Sequence, residues 1–82
     1  MVNLIEFKSW LIDKKGYGKK STKDIISRVK RTQNWISLPD LVTTHTIFEL
    51  EQADKFHQLP VSVRSQLKKS LKLVIEFQSI NR

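Results

Sequence analysis

Apolar residues recur along this chain at intervals of three and four positions, the spacing of residues on one face of an α-helix. Phe7, Trp10 and Leu11 follow this spacing, and Asn3 with Glu6 three residues later is typical of a helix start. Comparable apolar stripes follow in three later segments. We therefore predict four helices, at roughly residues 3–15, 21–36, 46–57 and 61–79.

Glycine, proline and small polar residues mark the predicted breaks. Gly16 and Gly18 end the first helix, because glycine tolerates the left-handed backbone conformation that closes a helix. Ser21 with Asp24 three residues later predicts the start of the second helix, since these side chains can satisfy free backbone amides there. The same pattern predicts that the third helix begins at Thr46, and the two prolines lie in the later breaks.

The second and fourth helices have clear amphipathic patterns. The predicted buried face of the second comprises Ile25, Ile26, Val29, Gln33 and Ile36. That of the fourth comprises Val63, Leu67, Ser70, Leu71 and Val74. No repeat, low-complexity tract or linker interrupts the chain, and 82 residues suffice for one domain. We predict an all-α fold, a compact four-helix bundle that forms a single domain over residues 1–82.

The chain is basic and has no cysteine. Fifteen Lys and Arg residues against eight acids give a net charge of +7 and a pI near 10.0, which favours an anionic partner. The lack of cysteine excludes disulfides, thiol catalysis and zinc fingers. No secretory signal is visible, and no segment has the roughly 20 apolar residues of a membrane span. We expect a cytoplasmic protein with no membrane partner.

The positive charge is concentrated in two stretches of the sequence. The first comprises Lys14, Lys15, Lys19, Lys20, Lys23, Arg28, Lys30 and Arg31, and the second comprises Arg64, Lys68, Lys69 and Lys72. The segment between them carries Asp40, Glu49, Glu51 and Asp54, with Lys55 as its only cation. This segregation predicts a surface that binds a polyanion.

No motif in the sequence indicates catalysis, a metal or a cofactor. His45 and His57 stand far apart, with no cysteine to join them in a metal site. Gly16 and Gly18 lack the preceding strand and the further glycines of a phosphate-binding loop. No motif ties a general base to Tyr17, the only tyrosine. We predict no catalytic residue, no metal, no cofactor and no small-molecule substrate.

Several soft motifs occur in one order along almost the whole chain, from about Leu4 to Phe77. They are Phe7-x-x-Trp10-Leu11, a glycine turn, Ser21-Thr22 at the start of a basic helix, a short third helix, and Ser62-x-x-Ser65-x-x-Lys68-x-x-Leu71 running into Ile75-x-Phe77. In this order the chain resembles the core-binding domain of tyrosine recombinases, also called the SAM-like N-terminal domain of phage integrases. The resemblance implies a SAM-like bundle that forms half of a clamp around duplex DNA.

The resemblance does not extend to the catalytic domain of these recombinases, which supplies the Arg, His and Tyr that cut and rejoin DNA. We therefore expect a chain that is not itself an enzyme. It is either a fragment of a recombinase-like protein, with a catalytic domain as a possible partner, or a stand-alone relative that binds without cutting.

The resemblance and the helix faces together imply two DNA-binding surfaces. The first comprises Lys19, Lys20, Ser21, Thr22, Lys23, Ser27, Lys30 and Arg31, and the second comprises Arg64, Ser65, Lys68 and Lys72. The cations would neutralise phosphates, while the hydroxyls and the start of the second helix would donate hydrogen bonds to them. Double-stranded DNA is thus the expected partner.

A SAM-like protein-interaction or oligomerisation module is the alternative. The acidic segment from Asp40 to Asp54 opposes the basic helices, and this opposition would permit head-to-tail self-association. Ile5 and Ile12 form a second apolar stripe on the first helix, away from Phe7 and Leu11. Packing against the connection before the third helix and a partner surface both explain this stripe.

Overall fold

The computed structural model describes residues 3–80 of the chain. Over these residues the fold is all-α, as predicted, and it contains no strand. The helices are α1 (Leu4–Asp13), α2 (Lys19–Thr32), α3 (Thr44–Gln52), α4 (Asp54–His57) and α5 (Val61–Ile80). They outnumber the four predicted, because the third predicted helix is divided in two.

The predicted start of α1 is confirmed. The side-chain oxygen of Asn3 accepts hydrogen bonds from the backbone N–H groups of Ile5 and Glu6, at 3.0 and 3.2 Å. The predicted start of α5 near Val61 is also confirmed. In both cases the local signal agrees with the packing of the helix that follows.

The predicted start of α2 is wrong by two residues. The helix begins at Lys19, and Gly18 precedes it with an extended backbone at φ −69° and ψ 167°. Ser21 and Asp24 therefore lie inside the helix and do not cap it. The reversal of the chain is complete earlier, because Gly16 is left-handed at φ 73° and the Tyr17 N–H donates to the Leu11 carbonyl at 3.0 Å.

The buried face of α2 also differs from the prediction. Thr22 and Thr32 are completely buried, whereas Gln33 is exposed and Ile26 is only half-buried. The helix ends at Thr32, four residues before the predicted end. Two threonines thus take part in the buried face of α2, which packs against α5 and α1.

The third predicted helix begins at Thr44 and stops at Ala53, where ψ is 125°. Thr46 does not cap this helix, contrary to the prediction from its spacing to Glu49; Thr43 is the capping residue. Thr46 lies inside the first turn, where its hydroxyl accepts a hydrogen bond from the Thr43 N–H at 3.1 Å. The short helix α4 then follows and carries Phe56 into the core.

The core is built around α5, which packs against α1, α2 and α3. At one end an aromatic cluster joins α1 to α5, with the rings of Phe7 and Phe77 5.5 Å apart and that of Trp10 5.6 Å from Phe77. At the other end the rings of Trp35 and Phe56 meet edge to face at 6.3 Å. The first cluster fixes the C-terminal part of α5 to α1, and the second joins α4 to the segment that follows α2.

Two polar contacts complete the attachment of the last turns of α5. The Lys15 ammonium pairs with the Glu76 carboxylate at 2.9 Å and lies 5.8 Å from the centre of the Trp10 ring. Gln78 bonds both backbone polar groups of Val42. None of the helices in residues 3–80 is long and apolar enough to cross a membrane.

Candidate nucleic-acid interface

The exposed face of α2 is the most basic surface of the described chain. Its fourteen residues include six cations and a single acid, Asp24. Five of the six cations are solvent-exposed: Lys19, Lys20, Lys23, Lys30 and Arg31. Five of the eight residues predicted for the first DNA-binding surface are therefore exposed cations on one helix.

The first turn of α2 is electrostatically unusual. Partial positive charge accumulates at a helix N-terminus, which acidic residues normally stabilise. Here the first turn has no acid and begins with Lys19 and Lys20, and Gly18 has no side chain to accept from the free N–H groups. An anion placed at this end would interact with the lysines and the free N–H groups together.

The cations of α2 are also not neutralised by neighbouring carboxylates. Among residues 3–80, the ion pairs are Lys15 with Glu76 and Lys68 with Glu51, and the His45 imidazole lies beside the Glu49 carboxylate; no α2 residue takes part in these contacts. The Arg31 guanidinium lies 5.7 Å from the centre of the Trp35 ring, which restrains it by a cation–π contact. The side chains of Lys19, Lys20, Lys23 and Lys30 are exposed, whereas Arg28 is half-buried.

Thr22 is the one residue of the predicted first surface that is not exposed. Its side chain is fully buried and its hydroxyl has no hydrogen-bond partner among the described residues, so it cannot reach a phosphate. The reason is the earlier start of α2, which makes Thr22 the first buried position of the helix. Ser21 and Ser27 are exposed, as the prediction requires.

A wide groove separates α1 from α2, and we call it the α1/α2 groove. Its apolar lining comprises Leu4, Ile5, Ile12 and Ile26. Its polar lining comprises Ser27 and four lysines, namely Lys8, Lys19, Lys23 and Lys30. The volume is about 950 Å³, and no acidic side chain lines it. Lys8 was not predicted as a site residue, although α1 places it beside three predicted lysines.

A smaller groove of about 270 Å³ lies on the other side of α2, against α5. It brings Ser21 and Arg28 of α2 together with Gln66 and Lys69 of α5. Arg28 and Lys69 belong to the two basic stretches of the sequence but lie outside the two predicted DNA-binding surfaces. Their proximity depends on the packing of two distant helices, which helical periodicity alone does not determine.

The second predicted surface is partly neutralised. Arg64, Ser65 and Lys68 line a separate groove beside α4, together with Glu51 and His57. The Lys68 ammonium lies 3.4 Å from the Glu51 carboxylate, and Arg64 is half-buried with an Nε atom that has no partner among residues 3–80. Within the predicted set, Ser65 and Lys72 are exposed. The two predicted surfaces therefore differ in the charge that they offer.

No group of three or more potential metal-ligating side chains occurs within residues 3–80. The closest approach to such a site is His45, whose Nε2 lies 2.9 Å from a carboxylate oxygen of Glu49. Both side chains are exposed, and the four-residue spacing that joins them on α3 is a signal in the sequence that the prediction did not use.

Comparisons with known protein families, curated proteins and solved structures found no match.

Proposed function

We propose that this domain binds double-stranded DNA through the exposed face of α2. The observation that supports the proposal is the row of five exposed cations on that face, which no carboxylate among the described residues pairs with. Natural helices usually place acids in the first turn, and α2 places lysines there at a cost in stability. Departures from local sequence preferences, such as lysines in a first turn that favours acids, are common at functional sites.

In this proposal phosphate contacts supply most of the affinity. Lys19, Lys20 and Lys23 contact phosphates near the start of α2, where the free backbone N–H groups donate further hydrogen bonds. Lys30 and Arg31 contact phosphates about two to three turns further along. Arg28 and Lys69 extend the positive surface across the smaller groove onto α5.

The resemblance to the core-binding domain of tyrosine recombinases supplies the biological part of the proposal. The domain would act as half of a clamp around the duplex, with a SAM-like bundle as its scaffold. It would bind without cutting, because strand transfer needs a catalytic domain as a partner. The predicted surface on Arg64, Ser65, Lys68 and Lys72 would be the weaker contact, since Glu51 partly neutralises it.

The test is duplex binding by fluorescence anisotropy over a range of salt concentrations. If about five phosphates are contacted, the log–log salt slope is about 4 to 5, because each phosphate contributes about 0.9. The double variant Lys19→Glu/Lys23→Glu should bind at least about tenfold more weakly. A flat salt response of the unmodified domain would contradict the proposal.

The matched control is Lys14→Glu/Lys55→Glu. It changes the net charge by the same amount, and both lysines are exposed and lie outside the two predicted surfaces. It should retain most of the affinity of the unmodified domain. Equal losses in the two double variants would indicate binding by net charge alone, without an interface on α2.

A further inference from the structure

We propose that the α1/α2 groove binds helix α3 of a second copy of this chain. The copies would associate head to tail, through two different surfaces that every molecule carries. This inference goes beyond DNA binding, although it uses some of the same lysines. It follows from the chemistry of the groove and of α3.

The groove offers two kinds of contact at once. Its lining includes four apolar side chains, and Ile5 in particular is 80% exposed, which is unusual for an isoleucine on a helix that already buries another face. The rest of its lining is lysine-rich and contains no acid. A ligand that satisfies both must carry an apolar side chain beside an acidic group. DNA satisfies only the lysines.

Helix α3 has this composition on its exposed side. Phe48 is 51% exposed and directly precedes the exposed Glu49, and Glu51 follows about one helical turn after Phe48. Residues 32–54 contain four acids and neither lysine nor arginine. The Glu51 carboxylate lies 3.4 Å from the Lys68 ammonium of the same molecule, so Glu49 is the acid that α3 offers beside Phe48. A short amphipathic helix that places an aromatic side chain in an apolar groove is a common mode of recognition.

The two surfaces lie on different parts of the fold. α3 packs on α4 and α5, while the groove lies between α1 and α2. Each molecule can therefore accept one neighbour in its groove and offer α3 to another. Contacts of this heterologous kind produce rings or open chains of molecules, and not a closed symmetric dimer.

The second copy is favoured over other anionic ligands by its charge complementarity, since groove and helix have opposite charge within one sequence. An anionic lipid surface could use Ile5 and the lysines, but it would not involve Phe48 or Glu49. Substitutions on α3 therefore separate self-association from lipid binding.

The test is sedimentation velocity at low salt over a concentration series. The unmodified domain should form species larger than a dimer as its concentration rises. The groove variant Lys19→Glu/Lys23→Glu and the helix variant Phe48→Ser/Glu49→Lys should each remain monomeric, with association at least about tenfold weaker. All four positions are exposed, so both variants should retain the helical circular dichroism of the parent.

Mixing the two variants gives the decisive result. The groove variant retains α3 and the helix variant retains the groove, so the mixture should form a one-to-one dimer that grows no further. The control Lys14→Glu/Lys55→Glu should assemble like the parent. A parent that stays monomeric throughout, or a mixture that forms no dimer, would overturn the proposal. Binding of anionic phosphatidylserine vesicles that depends on Lys19 and Lys23, without assembly, would also overturn it.

Duplex binding distinguishes this proposal from the proposed function. The helix variant leaves every α2 lysine intact, so it should bind duplex DNA like the parent while failing to assemble. If the groove variant kept full duplex affinity but still lost assembly, the DNA proposal would fail and self-association would stand. If the groove variant lost duplex affinity and the mixture of variants formed no dimer, the DNA proposal would stand and the self-association proposal would fail.

Discussion

The side-chain amide of Gln78 bonds both backbone polar groups of Val42. The Val42 N–H donates to Gln78 Oε1 at 2.9 Å, and Gln78 Nε2 donates to the Val42 carbonyl at 2.7 Å. Val42 is only 2% exposed and lies in the connection between α2 and α3. Gln78 thus provides the pairing that a neighbouring strand would provide in a sheet, and it holds this connection on α5.

The replacement Gln78→Ala should lower the free energy of unfolding by about 1–3 kcal/mol. It leaves a buried N–H and a buried carbonyl without partners, and such groups are costly. Urea denaturation followed by circular dichroism measures the loss. Gln66→Ala is the control on the same helix, because Gln66 is exposed, and it should change stability by less than about 0.5 kcal/mol. Equal effects would mean that the two bonds contribute nothing.

The same substitution at two buried threonines of α2 should have opposite effects. Thr22→Val removes a buried hydroxyl without a partner among residues 3–80, and it should stabilise the domain by about 1 kcal/mol. Thr32→Val removes a hydroxyl that donates to the Val29 carbonyl at 2.6 Å, and it should destabilise by about 1–2 kcal/mol. Thermal denaturation of both variants checks the signs. Thr22→Val should also leave duplex binding unchanged, since the buried Thr22 side chain lies outside the proposed interface.

Charge reversal at the two ends of α2 should separate stability from binding. Lys19→Glu/Lys20→Glu places acids at the positive end of the helix dipole and should raise the free energy of unfolding by about 1 kcal/mol. This corresponds to about 4–8 °C in Tm for a domain of this size. Lys30→Glu/Arg31→Glu places acids at the negative end and should lower stability by a similar amount.

Both charge-reversal variants should bind duplex DNA more weakly than the parent, as anisotropy would measure. The Lys19→Glu/Lys20→Glu variant would then be more stable than the parent but bind DNA more weakly, and the Lys30→Glu/Arg31→Glu variant would be less stable and also bind more weakly. If duplex affinity instead rose with stability in the one variant and fell with it in the other, the change in affinity would reflect folding and not the loss of phosphate contacts.

The two glycines between α1 and α2 should respond differently to substitution. Gly16 has φ 73°, a conformation that costs an L-residue about 1 kcal/mol or more, so Gly16→Ala should destabilise by about that amount. Gly18 has φ −69° and free space around it, and serine is a good cap at this position. Gly18→Ser should therefore be neutral or stabilise by a few tenths of a kcal/mol. Comparison of the two urea midpoints tests this difference.

The all-α fold and most of the core could be predicted from the sequence because its apolar residues keep helical spacing over long segments. The break at Ala53 could not, since alanine is the residue that most favours a helix. Packing overrides this preference, because the extended backbone at Ala53 lets α4 bring Phe56 against Trp35.

The candidate interface was predictable to the extent that it lies on one helix. The exposed cations of α2 follow from its periodicity, but the burial of Thr22 depends on where the helix begins. The sequence favours Ser21 over Gly18 as the cap of α2. The left-handed turn at Gly16 reverses the chain early enough for Gly18 to take that position instead. The grouping of Arg28 with Lys69, and of Lys8 with Lys23, depends on interhelical packing and has no local signal.

The last turns of α5 have a consequence for how the domain forms during synthesis. Three successive residues there secure α1 and the connection before α3: Glu76 pairs with Lys15, Phe77 packs on Phe7, and Gln78 bonds Val42. Both α1 and this connection thus lack these contacts until the last turns of α5 have left the ribosome. We expect the nascent domain to stay unfolded and open to proteases almost to its end, and then to fold in a single cooperative step.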